Sequence, residues 1–345
     1  MSDLQPAAMV ETRGLKVRFE QAGKRIEAVN GVDLSVSRGE ALALIGESGS
    51  GKSVTLRALM RLHPERSTRI EGQIEIEGRE LMAMSRGELS RLRGGEVAMI
   101  FQEPLLALDP VYTVGQQIVE GLRRHRGLSR SEARARALEA LKSVRIPSPE
   151  SRLDAYPHEM SGGMRQRAMI ALALSCHPKL LLADEPTTAL DATVQIQILI
   201  LLRELRRELG LALIFVTHDI AAAAEVADRV AVMYGGRIVE MAPVRELLRA
   251  PRHPYTIALL ASRPDGGLAK GKRLETIPGS PPDLAALPPG CAFAPRCRHA
   301  MAICSSQLPP SERIDSEHLV ACHWAMGRSD ADPYTQPRQE ERMDR

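Results

Sequence analysis

No run of this sequence approaches the roughly 18 uninterrupted apolar residues that a membrane-spanning helix needs. Leu180 to Ala183, Ile198 to Leu202 and Leu211 to Val216 are all short, so the chain is not expected to cross a bilayer itself. Its start, MSDLQPAAMVETRGL, lacks the basic flank and apolar block of a secretory signal, which makes the cytoplasm the default expectation. An excess of one charge is missing too. The 46 Lys and Arg residues against 43 Asp and Glu leave only +3, too balanced for a nucleic-acid footprint or a polybasic membrane anchor. Cysteine is scarce over most of the length: Cys176 stands alone in the middle, whereas Cys291, Cys297, Cys304 and Cys322 crowd near the C-terminus. In a reducing compartment that crowding points to metal rather than to disulfides.

What is present is enough for one large domain plus an appendage: 345 residues, 44% hydrophobic and 26% charged. From Val10 to Glu40 short alternating pieces, Leu15 to Phe19 and Val32 to Val36, are broken by turns at Gly23, Gly31 and Gly39, which predicts a small β region. Ala41 to Ile45 is continuously apolar, the pattern of a strand buried on both faces, and it runs into a Gly-rich turn and a helix expected from Lys52 to about Arg61. Ser85 to Arg93 and Thr113 to Val144 carry Ala, Leu, Glu and Arg at helical spacing and predict a helical insert. Two more apolar strands, Leu180 to Ala183 and Leu211 to Val216, flank an amphipathic helix through Gln195 to Glu208. Strand-helix-strand alternation of this kind implies a parallel sheet covered by helices. After about Met241 frequent prolines mark an extension that is expected to add no core, and Arg328 to Arg345 is expected to be disordered.

Three motifs carry chemistry. Gly46-Glu47-Ser48-Gly49-Ser50-Gly51-Lys52-Ser53 fits G-x4-G-K-[ST] between a buried strand and a helix, where backbone N–H groups can point at phosphate. Lys52 would reach the β and γ phosphates, and the Ser53 hydroxyl would join a Mg2+ shell. Leu180 to Glu185 ends a buried strand in two carboxylates, Asp184 placed for the metal and Glu185 placed as general base toward the attacking water. Met160-Ser161-Gly162-Gly163-Met164 precedes a helix expected to begin near Arg165, and a Ser-Gly-Gly turn at a helix start is a second anion site. Taken alone, SGG is most often only an N-cap and a DE pair only a turn; their order behind a phosphate loop reverses that preference.

With these motifs in place the sequence closely resembles the ATP-binding cassette family over about Val10 to Met241. The resemblance implies an α/β cassette with a RecA-like parallel core, an antiparallel β subdomain and a helical subdomain at about 85–175. It assigns adenine stacking to Phe19, nucleotide contacts to Gly46 through Ser53 and Val54, metal and water contact to Gln102, the cross-dimer loop to Asp191 and the γ-phosphate histidine to His218. Catalysis thus falls to Glu185, His218 and Gln102, Mg2+ to Ser53, Gln102 and Asp184, and the partner's ATP to Ser161, Gly162, Gly163 and Met164. For Phe19 a half-buried strand aromatic is an equal reading. A head-to-tail pair follows, because the signature of one cassette must close over ATP held by another.

Gln102-Glu103-Pro104-Leu105, Leu108-Asp109-Pro110, Met164, His253-Pro254-Tyr255-Thr256 and Pro278-Gly279-Ser280-Pro281-Pro282 resemble the dipeptide and oligopeptide importer ATPases over nearly the whole chain. That implies an extension over 242–327, a second ATPase subunit (a homodimer being the alternative), two permeases, a binding protein outside the inner membrane, and a place at the cytoplasmic face of that membrane. No nucleic-acid partner is implied. Nickel, glutathione and antimicrobial-peptide importers share much of the pattern, and a soluble cassette of DNA repair or translation is a distant alternative. The cysteine spacing C-x5-C-x6-C-x17-C leaves zinc and iron-sulfur open. The resemblance to the peptide-importer branch implies a [4Fe-4S] cluster on Cys291, Cys297, Cys304 and Cys322. Cys176 reads as a packed core thiol.

Overall fold

A computed structural model of the chain describes residues 8–21, 24–103, 107–188, 190–262, 276–315 and 317–326. Two long strands open it, β1 (Ala8–Gln21) and β2 (Lys24–Ser37), followed by β3 (Ala41–Ile45), β4 (Thr68–Ile76) and β5 (Arg79–Glu80). The short pieces expected over Val10 to Glu40 are therefore parts of two continuous strands. Gly31 does not end one but sits within β2 at φ 78°, where the register against β1 shifts between Leu15 and Lys16, so a bulge absorbs it, whereas Gly39 lies in the turn between β2 and β3 as expected. An antiparallel sheet of order β2-β1-β4-β5 results.

The second sheet takes β6 (Val97–Ile100), β7 (Leu180–Asp184), β8 (Ala212–Thr217), β9 (Arg229–Tyr234), β10 (Arg237–Pro243), β11 (Glu312–Arg313) and β12 (Leu319–Val320). Its order is β11-β12-β10-β9-β3-β8-β7-β6, parallel from β9 through β6. Side chains alternate across a strand, so this sheet divides the core in two. Leu42, Leu44, Leu180, Leu182, Ile214 and Val216 face the antiparallel sheet, whereas Ala43, Ile45, Leu181, Ala183, Leu213 and Phe215 face the helical side. Burial on both faces is why these strands read as unbroken apolar runs.

The expected helices form, with shifted ends set by capping. Thr113 and Gln116 close a capping box on Val114–Arg126, Gly127 ends that helix in the left-handed region, and Ser129 with Glu132 caps a separate helix Arg130–Ser143. The single stretch read from Thr113 to Val144 is thus two helices. Ser161 caps Gly162–Leu174, which starts three residues earlier than Arg165, and Asp191 caps Ala192–Leu209. Cys176 lies just past the end of its helix and is packed in the core.

The expectation that nothing beyond Met241 adds core is corrected. Helices Val244–Arg249 and Pro254–Ala261 follow β10, Tyr255 and Phe293 are buried in the main core, and β12 pairs back onto β10. Glu240, fully buried on β10, gathers this region by accepting from the backbone N–H groups of Arg252 (2.7 Å) and His253 (2.9 Å) and pairing with His318 Nε2 (2.8 Å). Proline interrupts regular elements there without keeping side chains out of the core. Pro104, Leu105, the Gly residues at 266, 267 and 271, and the tail 328–345 lie outside the described residues.

Candidate functional site

The loop between β3 and the helix Lys52–Ala58 wraps tightly. Gly51 sits at φ 103°, and a Cβ there would stand 2.4 Å from the Ala28 carbonyl oxygen, so no other residue fits. The Lys52 ammonium turns back into the loop and donates to the carbonyls of Gly46 and Glu47 at 2.8 Å each and to Ser50 Oγ at 3.3 Å. Burial lowers the Lys52 pKa, while Glu185, Asp184 and Glu47 act in the opposite direction.

Ser53 Oγ donates to Asp184 Oδ1 at 2.6 Å, which joins the phosphate loop to the end of β7. Burial raises the Asp184 pKa, opposed by the Ser53 hydrogen bond. Its second oxygen, Oδ2, is buried without a hydrogen-bond partner among the described residues. A buried orphan carboxylate oxygen beside a serine hydroxyl is the donor set that a hard divalent cation takes, so these residues fit Mg2+.

Glu185 follows at φ 44°, a left-handed conformation uncommon for a side chain of this size, with its N–H held by the Val216 carbonyl at 3.0 Å. The kink turns its carboxylate out of the sheet. Glu185 Oε2 accepts from Thr188 Oγ1 (2.9 Å) and Gln102 Nε2 (3.3 Å), and His218 Nδ1 stands 3.5 Å from it. The sequence-level candidates Gln102, Glu185 and His218 are thus brought together from three different strand ends. His218 is 65% exposed, open to whatever docks over the site.

Ser161 at the N-cap of Gly162–Leu174 accepts from the Met164 N–H at 3.4 Å, so its hydroxyl serves its own helix. Gly163 is packed under Val194, whose Cγ1 would stand 2.8 Å from a Cβ at that position. The glycines of the Ser-Gly-Gly turn therefore bring it against the helix that Asp191 caps. Phe19 is half-buried and meets the His63 ring edge-on at 5.3 Å.

The cysteines partly meet expectation. Cys291, Cys297, Cys304 and Cys322 are all free thiols and line one cavity with His253 and Trp324. Burial raises the Cys291 and Cys297 thiols and pushes Cys322 up to about 11. His253 Nδ1 accepts the Tyr255 N–H, which places its proton on Nε2, and that atom is buried with no partner. As arranged, however, no group of three or more His, Cys, Asp or Glu side chains among the described residues is gathered to hold a metal ion. The four cysteines share the wall of one cavity without being gathered into a metal-ligand group. Their donor chemistry fits an iron-sulfur group, and the orphan Nε2–H matches an acceptor in the cavity.

Reasoning from motifs missed Thr188 as the second donor to Glu185, His63 beside Phe19, and two supports of the phosphate loop. Tyr255 Oη accepts the Glu47 N–H at 2.8 Å, and Arg296 pairs with the Glu47 carboxylate. The HPY triplet was visible as a marker, but nothing local says that its tyrosine reaches a loop 208 residues away.

Residues 29–188 match the family described as ABC transporter, and residues 239–304 match the oligopeptide/dipeptide transporter C-terminal region. A Brucella melitensis protein named as a peptide import ATP-binding protein is 50% identical over 325 residues, spanning 91% of this chain and 96% of its own. A Sinorhizobium fredii protein named as a peptide ABC transporter ATP-binding protein is 47% identical over 315 residues, 91% of this chain and 94% of its own. Among solved structures, a dimeric post-hydrolysis ATP-binding cassette bound to ADP and Pi superposes with a TM-score of 0.62 at 31% identity, covering 69% of this chain and 99% of its own. The cassette cbiO1 of Clostridium perfringens, part of an ABC transporter complex, gives 0.60 at 29% identity over 70% of this chain and 90% of its own.

Proposed function

This chain belongs to the ABC transporter ATP-binding family and is an ATPase of that family, and on that premise we propose that it powers import of dipeptides and oligopeptides across the bacterial inner membrane. The observation that carries the cargo reading is the C-terminal region at residues 239–304, which matches the oligopeptide/dipeptide transporter type and follows the cassette in one chain. Relatives that match along the full length carry peptide import in their names.

In this reading the chain divides into a cassette over 10–241, with its helical subdomain at about 85–175, an extension over 242–327 and a tail over 328–345. It pairs with a second ATPase subunit beneath two permeases, at the cytoplasmic face, and a binding protein outside the membrane delivers cargo. ATP binds to Gly46 through Val54 with its adenine against Phe19. Lys52 exchanges its loop carbonyls for phosphate oxygens. Ser53, Gln102 and Asp184 would hold Mg2+, which would supply charge neutralisation at the triphosphate. Glu185, set by Thr188 and Gln102, takes a proton from the attacking water, and His218 faces the γ phosphate. Ser161 to Met164, at a helix start with Ser161 and Gly162 exposed, serves the partner's ATP together with Asp191. Phe101, Val111 (72% exposed) and Tyr112 (53% exposed) flank the stretch Gln102 to Pro110 in sequence and offer exposed apolar side chains that suit contact with the permeases. Cys291, Cys297, Cys304 and Cys322 would hold a [4Fe-4S] cluster.

Uptake of labelled dipeptide by cells carrying the wild-type chain or Glu185→Gln tests the reading. Loss of uptake with the variant is expected; undiminished uptake overturns it.

A further inference from the structure

Glu47 is gripped from three sides. Its N–H is held by Tyr255 Oη (2.8 Å), its carbonyl by Lys52 Nζ (2.8 Å), and its carboxylate by both prongs of Arg296, Nη1 to Oε2 at 2.6 Å and Nη2 to Oε1 at 3.1 Å. Only Lys52 belongs to the loop itself. Tyr255 and Arg296 come from the C-terminal region, 208 and 249 residues away.

The arginine is built in. Its side chain is 5% exposed. Nε donates to the Pro278 carbonyl at 2.8 Å, Nη1 also reaches Tyr234 Oη at 3.1 Å, and the guanidinium lies 5.8 Å from the Tyr234 ring centroid. Tyr234, Tyr255 and Phe293 pack against one another with centroids 4.5 to 5.4 Å apart and form the floor beneath it. A buried ion pair is a poor device for stability, since desolvation offsets most of the attraction. A planar fork that meets a carboxylate on two points is a good device for fixing geometry. The pair stands at the entrance of the phosphate loop, where Glu47 is close enough to Lys52 to act on it electrostatically. An unpaired carboxylate there would repel the phosphates that Lys52 is placed to attract.

We propose that Arg296 is a positioning residue for ATP: its two-pronged pair with Glu47 fixes the phosphate loop and cancels a carboxylate charge that would otherwise face the triphosphate. The C-terminal extension then completes the nucleotide site of its own chain. This rests on Gly46 to Ser53 being the phosphate loop.

Titration of the full-length chain with Mg-ATP tests it, with thermal melts as a check on folding. Arg296→Ala is expected to weaken ATP binding about tenfold or more, the scale of a lost charge-assisted pair. Adding Glu47→Gln to that variant removes the stranded charge and is expected to recover the part of the affinity lost to it, which a purely structural role for Arg296 would not allow. If Arg296→Ala does not fold, Arg296→Lys gives the reading, because it keeps the charge and loses the fork: weaker binding supports the proposal. Wild-type affinity in the Arg296 variants, or no recovery in the double variant, overturns it. Lys52→Ala separates the two levels. Undiminished ATP binding by that variant would sink the phosphate-loop reading itself, whereas an effect of Lys52→Ala with none of Arg296 sinks only this inference.

Discussion

The Ser53 hydroxyl donates to Asp184 Oδ1 at 2.6 Å across 131 residues of sequence, while Asp184 Oδ2 beside it is buried and unpartnered. A carboxylate oxygen left open in this way suits a cation, and the proposed Mg2+ role rests on it. Asp184→Asn keeps the shape and removes the charge, so ATP hydrolysis is expected to fall by at least about a hundredfold with its Mg2+ requirement shifted to higher concentration. Phosphate release measured across a Mg2+ series checks this; an unchanged Mg2+ dependence would remove Asp184 from the metal site.

Glu185 is held by Thr188 and Gln102 in a conformation that a non-glycine residue seldom adopts. Glu185→Gln retains both hydrogen-bonding capacity and size but cannot accept the water's proton. Hydrolysis is expected to drop roughly a hundredfold or more while ATP stays bound. Single-turnover phosphate release and retention of labelled nucleotide read the two effects separately, and wild-type turnover would show that another group is the base.

Thr188→Ala removes one of the two donors on the Glu185 carboxylate without touching the base. A smaller loss, about tenfold in kcat with little change in ATP affinity, is expected from a misaimed base. An equal loss of affinity would mean that Thr188 serves binding instead.

Glu77 ties the two sheets at their junction through Lys179 Nζ at 2.6 Å and through Arg38. Burial raises its pKa, but Lys179 and Arg38 outweigh that and hold it below the usual glutamate value of 4.5. A carboxyl depressed in the folded state contributes stability that is present above 4.5 and is lost as pH falls through the folded value. Glu77→Gln is therefore expected to cost about 1 kcal/mol at neutral pH and to flatten stability against pH below that point. Urea unfolding at a series of acidic pH values measures it; parallel curves for both proteins would leave Glu77 without this role.

Anaerobically purified chain is expected to be brown with about four irons, and Cys297→Ser is expected to lose both colour and iron. Iron, sulfide and zinc assays with a visible spectrum decide it. One zinc without colour would keep the ATPase assignment and discard the cluster.

Much of the site was legible because its chemistry is local. A phosphate loop needs glycines and a lysine at fixed spacing, and Ser161 and Asp191 stand where helix capping places them. Strand-end carboxylates follow a buried run, so Asp184 and Glu185 could be read from Leu180 onward. Strand lengths were less legible, since a bulge with glycine looks like a turn when only neighbouring residues are compared.

By itself the sequence determined the strand-helix alternation of the parallel core, the Gly-rich loop, the paired carboxylates and the Ser-Gly-Gly turn, because each is written in a short local run of residues; the split of Thr113 to Val144 into two helices and the elements beyond Met241 were not legible there. Tertiary structure alone decided that Gln102, Glu185 and His218 meet, that four cysteines share one cavity, and that Arg296 grips Glu47. Contacts such as Gln102 to Glu185 and Arg296 to Glu47, across 83 and 249 residues, leave no periodicity to read. They exist because a parallel sheet gathers the ends of distant strands on one edge, and because Tyr255 and Phe293 bury themselves in the same core and carry the Pro-rich extension back onto the loop.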